Sequence, residues 1–111
     1  MTACTNIAYM FVGNQVFNQP IGNWDISNVV NTVGTFSNTR DFNQPLSGWN
    51  VSNVTNMSAM FIQARDFNQY IGNWVTSACT DMSFMFSNSK SFNLPISGWN
   101  VSNVTNMSGM F

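Results

Sequence analysis

Apolar and polar positions along the chain recur every 25 residues. Large apolar residues return at Phe17, Phe42, Phe67 and Phe92, and again at Trp24, Trp49, Trp74 and Trp99. A fixed period of this length marks a repeat array, whose units bury their apolar faces by stacking on their neighbours. Residues 1–111 read as one array: a partial unit at 1–16, full units at 17–41, 42–66 and 67–91, and a partial unit at 92–111. Because the array starts and stops partway through a unit, it reads as a fragment of a longer protein, with neighbouring repeats as its first partners.

Two periodicities alternate inside each unit. Trp49-Asn50-Val51-Ser52 alternates apolar with polar, as do residues 24–27 and 99–102, which predicts a short half-buried strand. Stacked units would pair these strands in a parallel ladder about 4.8 Å apart. Val54, Met57, Met60 and Phe61 then fall at helical spacing, as do Val104, Met107, Met110 and Phe111. Ser27, Ser52, Ser77 and Ser102 stand where an N-cap would serve that helix. Polar loops such as Ser37-Asn38-Thr39, and turns such as Gln19-Pro20-Ile21-Gly22, close the unit. The expected fold is an α/β solenoid with one short parallel strand and one short helix or turn per coil. An all-β solenoid is the alternative, since so short a helix is marginal by itself.

A longer rhythm overlies the first. Over their shared residues, the units from Phe42 and Phe92 differ only at Gln44/Leu94, Leu46/Ile96 and Ala59/Gly109. The units from Phe17 and Phe67 share Ile-Gly-Asn-Trp where the other two carry Ser-Gly-Trp. A super-repeat of two units accounts for both facts.

Composition narrows the function. Apolar residues make up 44% and aromatics 14%, enough for a core, whereas charged residues make up only 6%. A usual share of charge is about 25%, so the surface falls to Asn, Ser, Thr, Gln and Gly. A net charge of -1 gives no electrostatic reason to expect nucleic acid or an anionic membrane as partner. No run approaches the roughly 20 apolar residues of a membrane span. The first residues, MTACTNIAYMFVGN, lack the basic and long apolar regions of a signal peptide.

Candidate chemistry is sparse. Histidine and glutamate are absent, and the carboxylates are Asp25, Asp41, Asp66 and Asp81. No His-based triad or His metal ligand can be built, and neither enzyme activity, cofactor nor metal is expected. Asp41 and Asp66 share a slot like a two-carboxylate site, but each follows a base, Arg40 or Arg65, which reads as local charge balance. Arg40, Arg65 and Lys90 form one basic column and are the candidate binding residues, although three partly neutralised charges make a weak patch.

The other columns read as structural. The Trp, Phe and Met57/Met82/Met107 columns fit a core better than a stacking platform for sugars or bases. Cys4 and Cys79 share the slot of Val29, Val54 and Val104, three coils apart, too far for a disulfide. Both read as small buried hydrophobes. Asn18, Asn43, Asn68 and Asn93 fit an amide ladder along the axis. The overlapping sequons at Asn50, Asn53, Asn56, Asn100, Asn103 and Asn106 arise from the repeat itself. The column Thr5, Thr55, Thr80, Thr105 is broken by Val30, which argues against an ice-binding face.

The string Trp-Asn-Val-Ser-Asn-Val-Thr-Asn-Met-Ser-x-Met-Phe, a polar loop, then Phe-Asn-Gln-Pro-Ile-x-x-Trp, resembles the BspA-like leucine-rich-repeat surface proteins, including the mycoplasma-type lipoprotein repeat. The units from Phe42 and Phe92 carry it almost letter for letter, whereas Tyr70 and residues 75–80 depart from it. The resemblance implies a leucine-rich-repeat-like fold at the cell surface or in secretion. It also implies adhesion or recognition, with an extracellular protein or glycan as partner. A structural spacer that projects another domain is the alternative.

Overall fold

The computed structural model describes residues 4–111. Successive 25-residue units stack in register, joined by parallel single-residue bridges from Asn6 to Asn31, Asn31 to Asn56, Asn56 to Asp81 and Asp81 to Asn106. The residue at this slot also shapes its own backbone. Its side-chain Oδ1 accepts the N–H two residues on, at Ala8, Val33, Ser58, Ser83 and Ser108, over 2.8–3.0 Å. This is the turn that Asn and Asp favour because a short side chain mimics a backbone carbonyl.

Neither the α/β solenoid nor its all-β alternative describes this chain. Among the described residues there is no helix, and strand pairing is confined to those isolated bridges. The expected helix at Val54–Phe61 is a run of turns. Met60, Ile62 and Ala64 donate to the carbonyls three residues back, at Met57, Ala59 and Phe61. The intervening N–H groups leave the coil altogether: Met57 donates to Asp81, Ala59 to Ser83, Phe61 to Met85 and Gln63 to Ser87, over 2.8–2.9 Å.

Left-handed residues enforce this arrangement. One slot holds Tyr9, Gly34, Ala59, Phe84 and Gly109, all at φ between 54° and 61°. A second holds Gly13, Asn38, Gln63 and Asn88, at φ between 56° and 74°. Two left-handed residues four apart interrupt the right-handed run that a helix needs. With no helix to cap, the serines take another role. The hydroxyls of Ser27 and Ser52 donate to Oδ1 of Asp25 and Asn50 at 2.6 Å, inside Asx turns.

The expected strand is likewise two turns back to back. Trp49 donates to Leu46 and Val54 to Val51, each at 3.0 Å, leaving too few extended residues between to form a ladder. Alternation still sets burial, with Trp49 and Val51 buried and Asn50 exposed. In the third unit Val75 replaces the Asx residue and is exposed, while Thr76 turns inward and its hydroxyl donates to the Asn100 carbonyl at 3.0 Å.

The core is an aromatic zipper. One column runs Phe11, Phe36, Phe61, Phe86, Phe111, with ring centroids 5.4–5.7 Å apart. The second runs Phe17, Phe42, Phe67, Phe92 at 5.6–6.1 Å. Rings of the two columns pair within each coil at 4.1–4.3 Å. Trp49, Trp74 and Trp99 flank them, buried, and their indole N–H groups donate to Ile21, Leu46 and Ile71 of the coil before.

Position in the stack decides the exceptions. Trp24, Met107 and Cys4, at its ends, are exposed, whereas Met57, Met82 and Cys79 in the same slots are buried inside it. Cys4 is therefore not the buried hydrophobe that its slot suggests. Both cysteines are free thiols, and burial pushes the Cys79 thiol above its ordinary value.

The approach of neighbouring turns follows the two-unit rhythm. A Cβ on Gly22 would lie 2.6 Å from the Pro45 carbonyl oxygen, and one on Gly72 would lie 2.7 Å from that of Pro95. In the alternate units the nearest approach moves one residue along and loosens, to 3.1 Å for Gly48 against the Gly22 carbonyl oxygen and an ordinary 3.4 Å contact for Gly98 against that of Gly72. The Ile-Gly-Asn-Trp and Ser-Gly-Trp units thus fit each other in alternation.

Candidate functional site

Polar side chains divide into those that bind the stack together and those left free. Asn43, Asn68 and Asn93 each donate a backbone N–H to the Asn Oδ1 one coil earlier, over 2.9–3.0 Å. The column is thus bonded along the axis as expected, but from backbone N–H to side-chain oxygen and not amide to amide. Gln44 and Gln69 reinforce it by donating to Asn18 and Asn43. Asn53 and Asn103, both in sequons, donate Nδ2 to the carbonyls of Ser27 and Ser77 at 2.7 Å. The hydroxyls of Thr55, Thr80 and Thr105 donate to the carbonyl one coil back.

The free set lies on the loop that begins at the second left-handed residue. Thr39 points inward and its hydroxyl donates to the Phe36 carbonyl at 2.6 Å. Ser89 does the same to Phe61 and Ala64. With the middle residue turned in, the residues on either side turn out. Asn38, Gln63 and Asn88 therefore share a face with the basic residues two places on. Asn38, Gln63, Arg65, Asn88 and Lys90 line one open groove of about 270 Å³.

The basic column is thereby divided. Arg65 and Lys90 line the groove, whereas Arg40 pairs with its own neighbour, its Nε donating to Asp41 Oδ1 at 2.9 Å. That bond holds the Asp41 carboxyl below its ordinary range and pushes the Arg40 guanidinium up. Asp66 follows Arg65 as Asp41 follows Arg40, but Ser91 takes the acid's place after Lys90, so the groove becomes more basic toward the later coils. The three amides were not singled out by sequence. Their signal is positional, two residues before each basic side chain.

The groove offers amide donors and acceptors with two cations, and its lining carries no carboxylate, thiol or hydroxyl. It suits a polar or anionic ligand laid across the coils. The aromatic columns are unavailable as platforms, since the Phe and Trp rings inside the stack are buried. The described residues include no cluster of His, Cys, Asp or Glu arranged for a metal. No helix among them is long and apolar enough to cross a membrane.

These features define a repeat protein whose units stack through turns. The chain belongs to the family described as "Mycoplasma protein of unknown function, DUF285", which matches residues 5–111. No curated protein and no solved structure matches the chain.

Proposed function

We propose that this chain is a non-catalytic recognition module that presents its repetitive polar face to an extracellular protein or glycan. The observation that carries the reading is the groove in which Arg65 and Lys90 stand beside Asn38, Gln63 and Asn88. Amides and cations repeated at a fixed step suit a ligand that is itself repetitive. Several weak contacts along one chain then add as avidity. The likeness of the Trp-Asn-Val-Ser-Asn-Val-Thr-Asn-Met-Ser string to BspA-like surface proteins supports an adhesive role at the cell surface or in secretion.

A glycan and matrix-protein array tests the proposal with the wild-type chain, the R65A/K90A double variant and R40A. The proposal expects binding by wild type and R40A, and a loss of about tenfold or more in the double variant. Equal binding by the double variant places recognition on another face. Absence of binding by the folded chain favours a structural spacer.

A further inference from the structure

The residue that follows each base is set against the coil before it. Asp41 donates its backbone N–H to the Gln15 carbonyl, Asp66 to that of Arg40 and Ser91 to that of Arg65, over 3.0–3.1 Å. A carboxylate in this slot therefore faces the base of the preceding coil as well as following its own. Arg40 shows the consequence. Asp41 bonds its Nε, and the charge of Asp66 reaches the guanidinium from the following coil. At Arg65 the same two places act differently. Asp66 forms no ion pair with it, and the place in the next coil from which a carboxylate would back it is held by uncharged Ser91. Arg65 is exposed inside the stack, with the loops at 38–41 and 88–91 on either side, and makes no ion pair among the described residues.

We propose that the groove takes an acidic polysaccharide, one anionic group of which seats on the Arg65 guanidinium, and that Ser91 keeps this cation available by standing where a carboxylate would neutralise it. The proposal rests on the recognition reading above and names its ligand class. A guanidinium presents a planar fork of N–H donors that fits two oxygens of a sulfate or a carboxylate. Lys90, in the same groove one coil on, adds a second cation. Asn38, Gln63 and Asn88 line the groove beside them. Each side-chain amide sets a donor next to an acceptor, which matches the hydroxyls carried by every sugar ring and lacking from a run of acidic residues in a polypeptide. The charges are exposed, so binding weakens as salt screens them.

Titration calorimetry at fixed salt tests it with four probes: dextran sulfate, hyaluronan, uncharged dextran and polyglutamate. The wild-type chain is expected to bind dextran sulfate or hyaluronan, which separate a sulfate from a carboxylate requirement, and to bind dextran and polyglutamate far more weakly. Arg65→Ala should lower the affinity by about tenfold, the usual worth of one charged hydrogen bond. Ser91→Asp should lower it comparably with Arg65 intact, and the array already accepts Asp in this slot at Asp41 and Asp66. Ser91→Asn, of similar size but uncharged, should bind as wild type does. Failure of the wild-type chain to bind either acidic polysaccharide, equal binding of dextran or polyglutamate, or undiminished binding by Ser91→Asp overturns the proposal. Any of these leaves the recognition reading standing if the folded chain still binds a ligand on the glycan and matrix-protein array, and only a blank array removes both.

Discussion

The indole N–H of Trp49 donates to the carbonyl of Ile21 in the preceding coil at 2.9 Å. Trp74 and Trp99 repeat the bond to Leu46 and Ile71, so each buried indole ties two units together while filling the core. Trp24 occupies the same slot, is 40% exposed and makes no such bond among the described residues.

Substitution should separate these two environments. Trp49→Ala is expected to cost about 3–5 kcal/mol by chemical denaturation, the usual range for a buried aromatic. Trp49→Phe keeps much of the packing and removes only the bond between coils, since the Ile21 carbonyl still accepts the Trp24 N–H, a loss of about 0.5–1.5 kcal/mol. Trp24→Ala should cost less than Trp49→Ala. Equal losses at Trp24 and Trp49 would contradict the burial described.

The alternating glycines should differ in tolerance. A Cβ on Gly22 meets the Pro45 carbonyl oxygen at 2.6 Å, a backbone atom that cannot turn away. Gly48→Ala faces a looser 3.1 Å approach to the Gly22 oxygen. Gly22→Ala is expected to lose about 1–3 kcal/mol, in the range for overpacking, and Gly48→Ala less. The order of the two melting temperatures is the check.

At the left-handed slot the direction reverses. Ala59 holds φ 54°, a conformation that costs an L-residue about 1–2 kcal/mol. Ala59→Gly removes that strain but frees the unfolded chain by about 0.4–1 kcal/mol, so a net gain of roughly 0.5 kcal/mol is expected. Gly34→Ala should lose stability, because φ is 59° and its Cβ would lie 2.5 Å from the Tyr9 ring. Thermal melts of both variants test the pair.

Stability should fall at both ends of the pH scale. The Ser27 hydroxyl, and then its N–H, hold the Asp25 carboxyl below its ordinary 3.8, and Arg40 does the same for Asp41. A lowered folded value means that their contribution is present above the unfolded value and is lost as pH falls through the folded one. Asp25→Asn, the residue found in this slot at Asn50 and Asn100, should flatten part of the acid limb. Burial raises the Cys79 thiol above its ordinary 9.0. Its contribution is intact below the unfolded value and fades as pH rises through the folded one. Cys79→Val should remove that alkaline decline in melts from pH 7 upward.

The repeat, its phase, its super-repeat and its aromatic core were legible in the sequence because stacking demands the same apolar residue at every step. The elements were not. Val54, Met57, Met60 and Phe61 carry a spacing near three, which fits successive turns as well as a helix. What decides between them is the left-handed backbone at Ala59 and Gln63, and neither is a glycine that would reveal it. Alternation at Trp49–Ser52 reported burial correctly but not pairing. The column of Arg40, Arg65 and Lys90 was visible, whereas the Arg40–Asp41 pair that removes one member depends on side-chain geometry. Exposure of Cys4 and Trp24 follows from place in the stack, which slot identity does not encode.

Scalar couplings across hydrogen bonds, read by NMR between amide nitrogens and carbonyl carbons, test the turn-built stack most directly. The Ala59 nitrogen is predicted to couple to the Ser83 carbonyl in the next coil, to which its N–H donates at 2.8 Å. Gln63 should couple in the same way to Ser87. Coupling of Ala59 to Thr55, four residues back, is the pattern of an α-helix and would contradict the account.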